Sequence, residues 1–281
     1  MSGPGTLVIL RHGESTFNAA KVFTGLLDAD VTEAGLAQVE EAARLMVDEG
    51  MVPDVVVTSP MLRAVRTTDR LLAELTGLGA IPSPAAVPRR VTWRLVERDY
   101  GVLTGVSKAE SREILGEEAF FTWRRTLHGR PRAARPRQVA SWTDPPPVAD
   151  SGPLVAGSGE SLADVIERVR PVWEQRLVPF FERSELHDDG AGPSVQRRAP
   201  QGARSDRGSC AALIAHGNTL RALSAVIDQL EPSEVEELNI PAGHPLAYEV
   251  RGGVAQPRGG RYLDGAAAQL AASIVAAEGG T

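Results

Sequence analysis

At 281 residues with a formal net charge of −6, the chain can bury a sizeable core without crosslinks and has no global attraction for nucleic acid or an anionic membrane. Cys210 is its lone cysteine, which excludes an intrachain disulfide, and no apolar run approaches the ~18 residues that span a bilayer. Hydrophobic residues at 42% and charged residues at 23% suit a globular protein, and the N-terminus lacks a basic, signal-like stretch, so the chain reads as soluble and cytoplasmic.

Residues 6–10 form a short apolar run, the pattern of a buried parallel strand. A polar stretch over 11–30 follows. Thr32 then reads as an N-cap with Glu33 in the first turn of a helix reaching Gly50. Residues 55–57 predict a second buried strand, and a helix is expected from Met61 to about Leu75. Two strand–loop–helix units in succession argue for an α/β fold: a three-layer sandwich with a mainly parallel central sheet flanked by helices.

Residues 76–90 read as loop, 91–96 as extended and 109–126 as helical. The Pro-, Arg- and Gly-rich stretch 129–159 is expected to be irregular. A long helix should open at Glu160-Ser161-Leu162 and reach Glu182, disturbed near Pro171 or Pro179. Residues 184–209 are polar, with few apolar anchors, and predict a mobile insertion. A strand over 211–215, a helix over 219–230, a strand over 246–250 and an Ala-rich tail helix over 266–277 complete one domain spanning 1–281, with a C-terminal tail from 262.

Chemistry concentrates at strand ends. Arg11-His12-Gly13-Glu14-Ser15 follows the first strand, at the carboxyl edge where parallel sheets bind ligands. There His12 can act as a nucleophile and Arg11 can neutralise phosphate charge with a bidentate fork. Ser15 and Asn18 can donate to phosphate oxygens. Some two hundred residues later His216-Gly217-Asn218 again follows a buried strand. Two such histidines invite a facing pair, one carrying a phosphoryl group and the other, protonated, stabilising its oxygens. Arg63, in the first turn of the helix after the second strand, makes an anion site. Glu97 is the candidate proton shuttle. Lys21 and Lys108 are the only lysines among 30 basic residues, so a retained lysine says more than any one arginine. No convincing metal-ligand cluster stands out, so no metal is expected.

Taken together and in order, these pieces resemble the histidine phosphatase superfamily, and more closely its 2,3-bisphosphoglycerate-dependent phosphoglycerate mutases. The likeness runs through Leu10-Arg11-His12-Gly13-Glu14-Ser15, Asn18, Phe23-Thr24-Gly25, Arg63-Ala64-Val65-Arg66-Thr67, Glu97-Arg98, Tyr100-Gly101, Lys108, Trp123-Arg124-Arg125, Glu160-Ser161-Leu162, His216-Gly217-Asn218 and Glu237-Leu238-Asn239-Ile240-Pro241. The histidine motifs mark the superfamily. Tyr100, Lys108 and the Arg124-Arg125 pair resemble the mutase wall that holds both anionic ends of a phosphoglycerate. The resemblance implies that His12 is phosphorylated, that Glu97 is the general acid/base, and that Arg11, Arg63 and His216 clamp the transferring group. Ser15, Asn18, Thr24, Gly25, Tyr100, Lys108, Arg124, Arg125 and Asn218 would contact substrate. It further implies 2,3-bisphosphoglycerate as phosphoryl donor, a small phosphorylated metabolite as partner and a homo-oligomer. A phosphohistidine phosphatase is the alternative, and a non-catalytic phosphate binder a third class, disfavoured by the full set of reactive residues. Departures from the pattern are Asp99 where a histidine is usual, Ala242 where a threonine is common, and the extra stretch 184–209.

Overall fold

The computed structural model describes residues 4–142, 153–185 and 208–277. Its centre is a six-stranded sheet of order β3-β2-β4-β1-β5-β6. The strands are β1 (Gly5–Arg11), β2 (Val55–Thr58), β3 (Arg89–Val91), β4 (Cys210–Ala215), β5 (Leu246–Arg251) and β6 (Val254–Tyr262). The first four run parallel, and β5 and β6 add an antiparallel edge.

Alternation along the strands divides the core in two. Leu7 and Ile9 face one side with Ala211 and Leu213, and pack on α7 (Leu162–Val172), α8 (Val178–Glu185) and α9 (Gly217–Asp228). Val8 and Leu10 face the other side with Ala212 and Ile214, and pack on α2 (Glu33–Asp48) and α3 (Leu62–Gly77). The result is the expected three-layer α/β sandwich. Thr32 caps α2 as expected, its side chain accepting from the Gly35 N–H.

Other elements depart from the sequence reading. The strand near 91–96 ends at Val91 and turns into a 3-10 turn, Trp93–Leu95, that buries Leu95. The helix expected over 109–126 is two, α4 (Lys108–Leu115) and α5 (Glu117–Arg125), because Gly116 sits at φ 77° between them. Past Pro171 the helix after Ser161 continues as a π turn, Trp173–Leu177, into α8. Strand β6 and the short helix Pro232–Glu237 were not legible: β6 is mostly exposed and carries no apolar alternation. Within the irregular stretch, Pro136–Ala140 forms a short helix. Most of the expected insertion at 184–209 lies outside the described residues.

Candidate active site

Strand register brings the two histidines together. Arg11 pairs with Ala215 at the carboxyl ends of β1 and β4, so each histidine begins the loop just beyond. The His12 N–H donates to the Ala215 carbonyl at 3.0 Å, and the ring centroids stand 5.1 Å apart. Gly13 is required by close approach: a Cβ there would lie 2.2 Å from the Gly35 carbonyl oxygen at the start of α2.

His12 Nδ1 lies 2.7 Å from the Gly13 carbonyl oxygen. A carbonyl only accepts, so Nδ1 carries the proton and Nε2 keeps its lone pair for attack. Burial, then the positive charges of Arg63 and Arg11, hold the imidazole well below the usual histidine pKa. The neutral, nucleophilic form therefore prevails at neutral pH.

Arg63 is the centre of the cationic floor. It is fully buried, and Nη1 and Nη2 donate to the carbonyls of Leu27 at 2.8 Å and Gly25 at 2.9 Å. Burial lowers its pKa to about 10, which still leaves it charged at neutral pH. Its Nε donates to Nδ1 of His216 at 3.1 Å, and His216 Nε2 meets Ser59 Oγ at 2.9 Å. Because Nδ1 accepts, the single imidazole proton is on Nε2 and is donated to Ser59. His216 is therefore neutral, held there by burial first and by Arg63 second. This corrects the expectation of a protonated second histidine. The ring has no exposed surface and stands behind Arg63.

A small cleft opens over these groups. Most of the residues singled out from sequence line it: Arg11, His12, Asn18, Thr24, Gly25, Arg63, Glu97, Tyr100, Lys108, Arg124 and Asn218. Ser15, Arg125 and His216 do not. Ser15 is buried as the N-cap of the short helix Thr16–Ala19, in a reciprocal capping box with Asn18. It holds Asn18 in place. Arg125 turns instead to the carbonyls of Glu236 and Leu238. Arg124 reaches the cleft alone, with its guanidinium 5.3 Å from the Phe23 ring centroid.

Glu97 is held firmly at the cleft. Its Oε1 accepts from the Arg98 N–H at 2.7 Å and its Oε2 from the Asn218 N–H at 3.4 Å. Behind it lies a buried pair: Arg168 bonds Glu160 through Nε at 2.8 Å and Nη2 at 3.1 Å, and the same Nη2 donates to the Glu97 carbonyl at 3.1 Å. Asn218 links Tyr100 to the interior, donating to the phenol oxygen at 2.8 Å and accepting from Arg221 at 3.0 Å. Asp99 points away from the cleft. Its carboxylate accepts from the N–H groups of Gly101 at 2.8 Å and Gly159 at 3.2 Å. Burial raises its pKa above the usual carboxylate value.

Ser59, Glu160 and Arg221 lie in motifs that the sequence reading quoted without giving them a site role, and Arg168 lies outside those motifs. Ser59 had a signal, since it ends β2 as the histidines follow β1 and β4. The buried arginines had none, because arginine provides nearly all the basic residues.

Comparisons with known proteins show the family and the fold. The profile described as histidine phosphatase superfamily (branch 1) matches residues 7–141. A 2,3-bisphosphoglycerate-dependent phosphoglycerate mutase of Corynebacterium kroppenstedtii is 36% identical over 279 residues, covering 98% of each chain. One of the same name from Mycobacterium tuberculosis is 36% identical over 283 residues, covering 99% of each. Among solved structures, a mycobacterial glucosyl-3-phosphoglycerate phosphatase is 25% identical at a TM-score of 0.57, covering 87% of this chain and 90% of its own. YhfR of Bacillus stearothermophilus, at 19% identity and a TM-score of 0.58 over 90% of this chain and 94% of its own, shares the fold. With relatives at 36% identity matched over nearly the full length, the chain belongs to the histidine phosphatase superfamily.

Proposed function

We propose that the chain is a 2,3-bisphosphoglycerate-dependent phosphoglycerate mutase, interconverting 3-phosphoglycerate and 2-phosphoglycerate through a phosphohistidine at His12. One observation carries the reading: Tyr100, Lys108 and Arg124 line the same cleft as His12, Arg11 and Arg63. A site that hydrolyses a single ester has less need of a second set of anion contacts. The full-length mutase relatives support the same reading.

In this scheme His12 Nε2 first takes a phosphoryl group from 2,3-bisphosphoglycerate. Arg11 and Arg63 balance the charge on the transferring oxygens, and His216 holds the Arg63 fork by accepting from Nε. Glu97 then removes the proton of the 2-hydroxyl of 3-phosphoglycerate as that oxygen attacks phosphorus and the N–P bond breaks. The bisphosphate formed turns within the site. Its 3-phosphoryl passes to Nε2, Glu97 returns the proton to the departing oxygen, and 2-phosphoglycerate leaves. Arg11, Arg63, Lys108 and Arg124 supply the positive charge, so the scheme uses no metal.

A phosphatase of a small phosphorylated metabolite is the second reading. It is favoured by Arg125, which turns to the Glu236 and Leu238 carbonyls and leaves Arg124 alone in the cleft. Product analysis separates the two. Supplied with 3-phosphoglycerate, with and without catalytic 2,3-bisphosphoglycerate, a mutase yields bisphosphate-stimulated 2-phosphoglycerate with little free phosphate. Phosphate release alone overturns the mutase reading.

A further inference from the structure

Outside the catalytic cleft lies a second, larger hollow of about 270 Å³ that shares Arg11, Asn18 and Lys108 with it. Its outer wall is the tail helix α11 (Gly265–Ala277), through Ala271, Ile274 and Val275. Both lysines of the chain line this vestibule, although arginine fills the other 28 of 30 basic positions. The backbone ties them together, the Lys108 N–H donating to the Lys21 carbonyl at 2.9 Å. Lys21 sits at φ 55°, where glycine would be at ease and a long side chain is not. The sequence keeps an exposed ammonium at a conformational cost. With Arg11 and the two lysines, His244 is the fourth basic side chain of the lining, its Nδ1 2.5 Å from Asp264 Oδ2, and Glu14 is the acidic lining residue, accepting from Thr32 Oγ1 at 2.9 Å.

We propose that this vestibule is an outer anion subsite in which Lys21, with Lys108 and Arg11, holds the bisphosphate while it turns end for end. The inference rests on the mutase reading, which requires that each phosphoryl meet His12 in turn without the molecule escaping. The catalytic cleft is the smaller of the two spaces. Lys108 and Arg11 reach both spaces, so one phosphoryl stays paired while the other swings past Lys21. An ammonium suits a moving anion better than a planar fork, because it donates in three directions from a compact centre.

Partitioning of a labelled phosphoryl group tests this. The enzyme is charged at His12 with labelled phosphate and chased with 3-phosphoglycerate, and label is counted in 2-phosphoglycerate and in free bisphosphate. Lys21→Gly removes the ammonium and relieves the backbone, so folding is not threatened. It should raise the share escaping as bisphosphate about fivefold, and 2,3-bisphosphoglycerate should prime the reaction at about fivefold higher concentration. Lys21→Arg should recover much of the loss, and the gap should narrow at high salt, as expected for a charge at a solvent-exposed rim. An unchanged partition in Lys21→Gly overturns the subsite. A parent enzyme that charges at His12 but releases only inorganic phosphate overturns the mutase reading itself, which is a different result.

Discussion

Arg63 donates from Nε to Nδ1 of His216 across 3.1 Å, so a cation and a histidine sit side by side because the histidine is neutral. His12 is held neutral in the same field. Both imidazoles resist protonation when folded, whereas in the unfolded chain they bind protons below the ordinary value of 6.5. The unfolded state then holds more protons, so stability rises with pH in this window and is lost as pH falls below 6.5. Each proton contributes a slope of at most about 1.4 kcal/mol per pH unit. Chemical denaturation from pH 7.5 to 5.5 should show the loss, and His216→Gln should flatten it. The charging rate of His12 should stay level through pH 6.5, and a fall centred there would contradict a neutral, depressed nucleophile.

Ser59 receives the Nε2 proton of His216 at 2.9 Å and is fully buried. Ser59→Ala leaves that N–H without its acceptor, at a cost of about 1–3 kcal/mol in stability. The ring should then turn more freely and loosen Arg63. We expect the charging rate of His12 to fall about tenfold, with Ser59→Thr recovering part of it. Full activity in Ser59→Ala, with the fold intact, would remove Ser59 from the positioning chain.

Asp99 raises a concern in the sequence, as a negative charge beside Glu97 and Tyr100. The structure aims it at the turn through Gly159 and away from the cleft. Asp99→Asn should therefore keep kcat within about threefold. Its amide offers one acceptor where the carboxylate uses both oxygens, so the thermal midpoint should drop. A large loss of kcat at an unchanged midpoint would place Asp99 at the chemistry instead.

The legible part of the site is the part that strand order fixes. His12, Arg11 and the His216 loop follow apolar runs, and parallel pairing of β1 with β4 brings the loops together. What misled was side-chain direction. Ser15 looks the same in sequence whether it meets phosphate or caps a helix, although Asn18 three residues on was a capping signal. Neighbours on a helix diverge by about 100°, so Arg124 and Arg125 could not both face one cleft. Gly116 hid the break between α4 and α5 inside an otherwise helical stretch. Edge strand β6, without alternation, gave no pattern to read.

The buried Arg168–Glu160 pair offers the sharpest test of how Glu97 is held. Both side chains are about 5% exposed, and together they grip the backbone on each side of Glu97. Arg168 donates to the carbonyls of Arg94 and Glu97, and Glu160 accepts from the Asp99 N–H. Removing one partner strands a buried charge, and Arg168→Met alone should cost about 3–5 kcal/mol. Replacing both, as Arg168→Met with Glu160→Leu, should recover much of that stability because no charge is left unpaired. It should not recover function, since the Glu97 carbonyl still lacks its anchor. We expect the double variant to melt closer to the parent yet to keep a kcat lowered about tenfold, with little change in KM. Should kcat return along with stability, the pair would serve the core alone and Glu97 would need no such support.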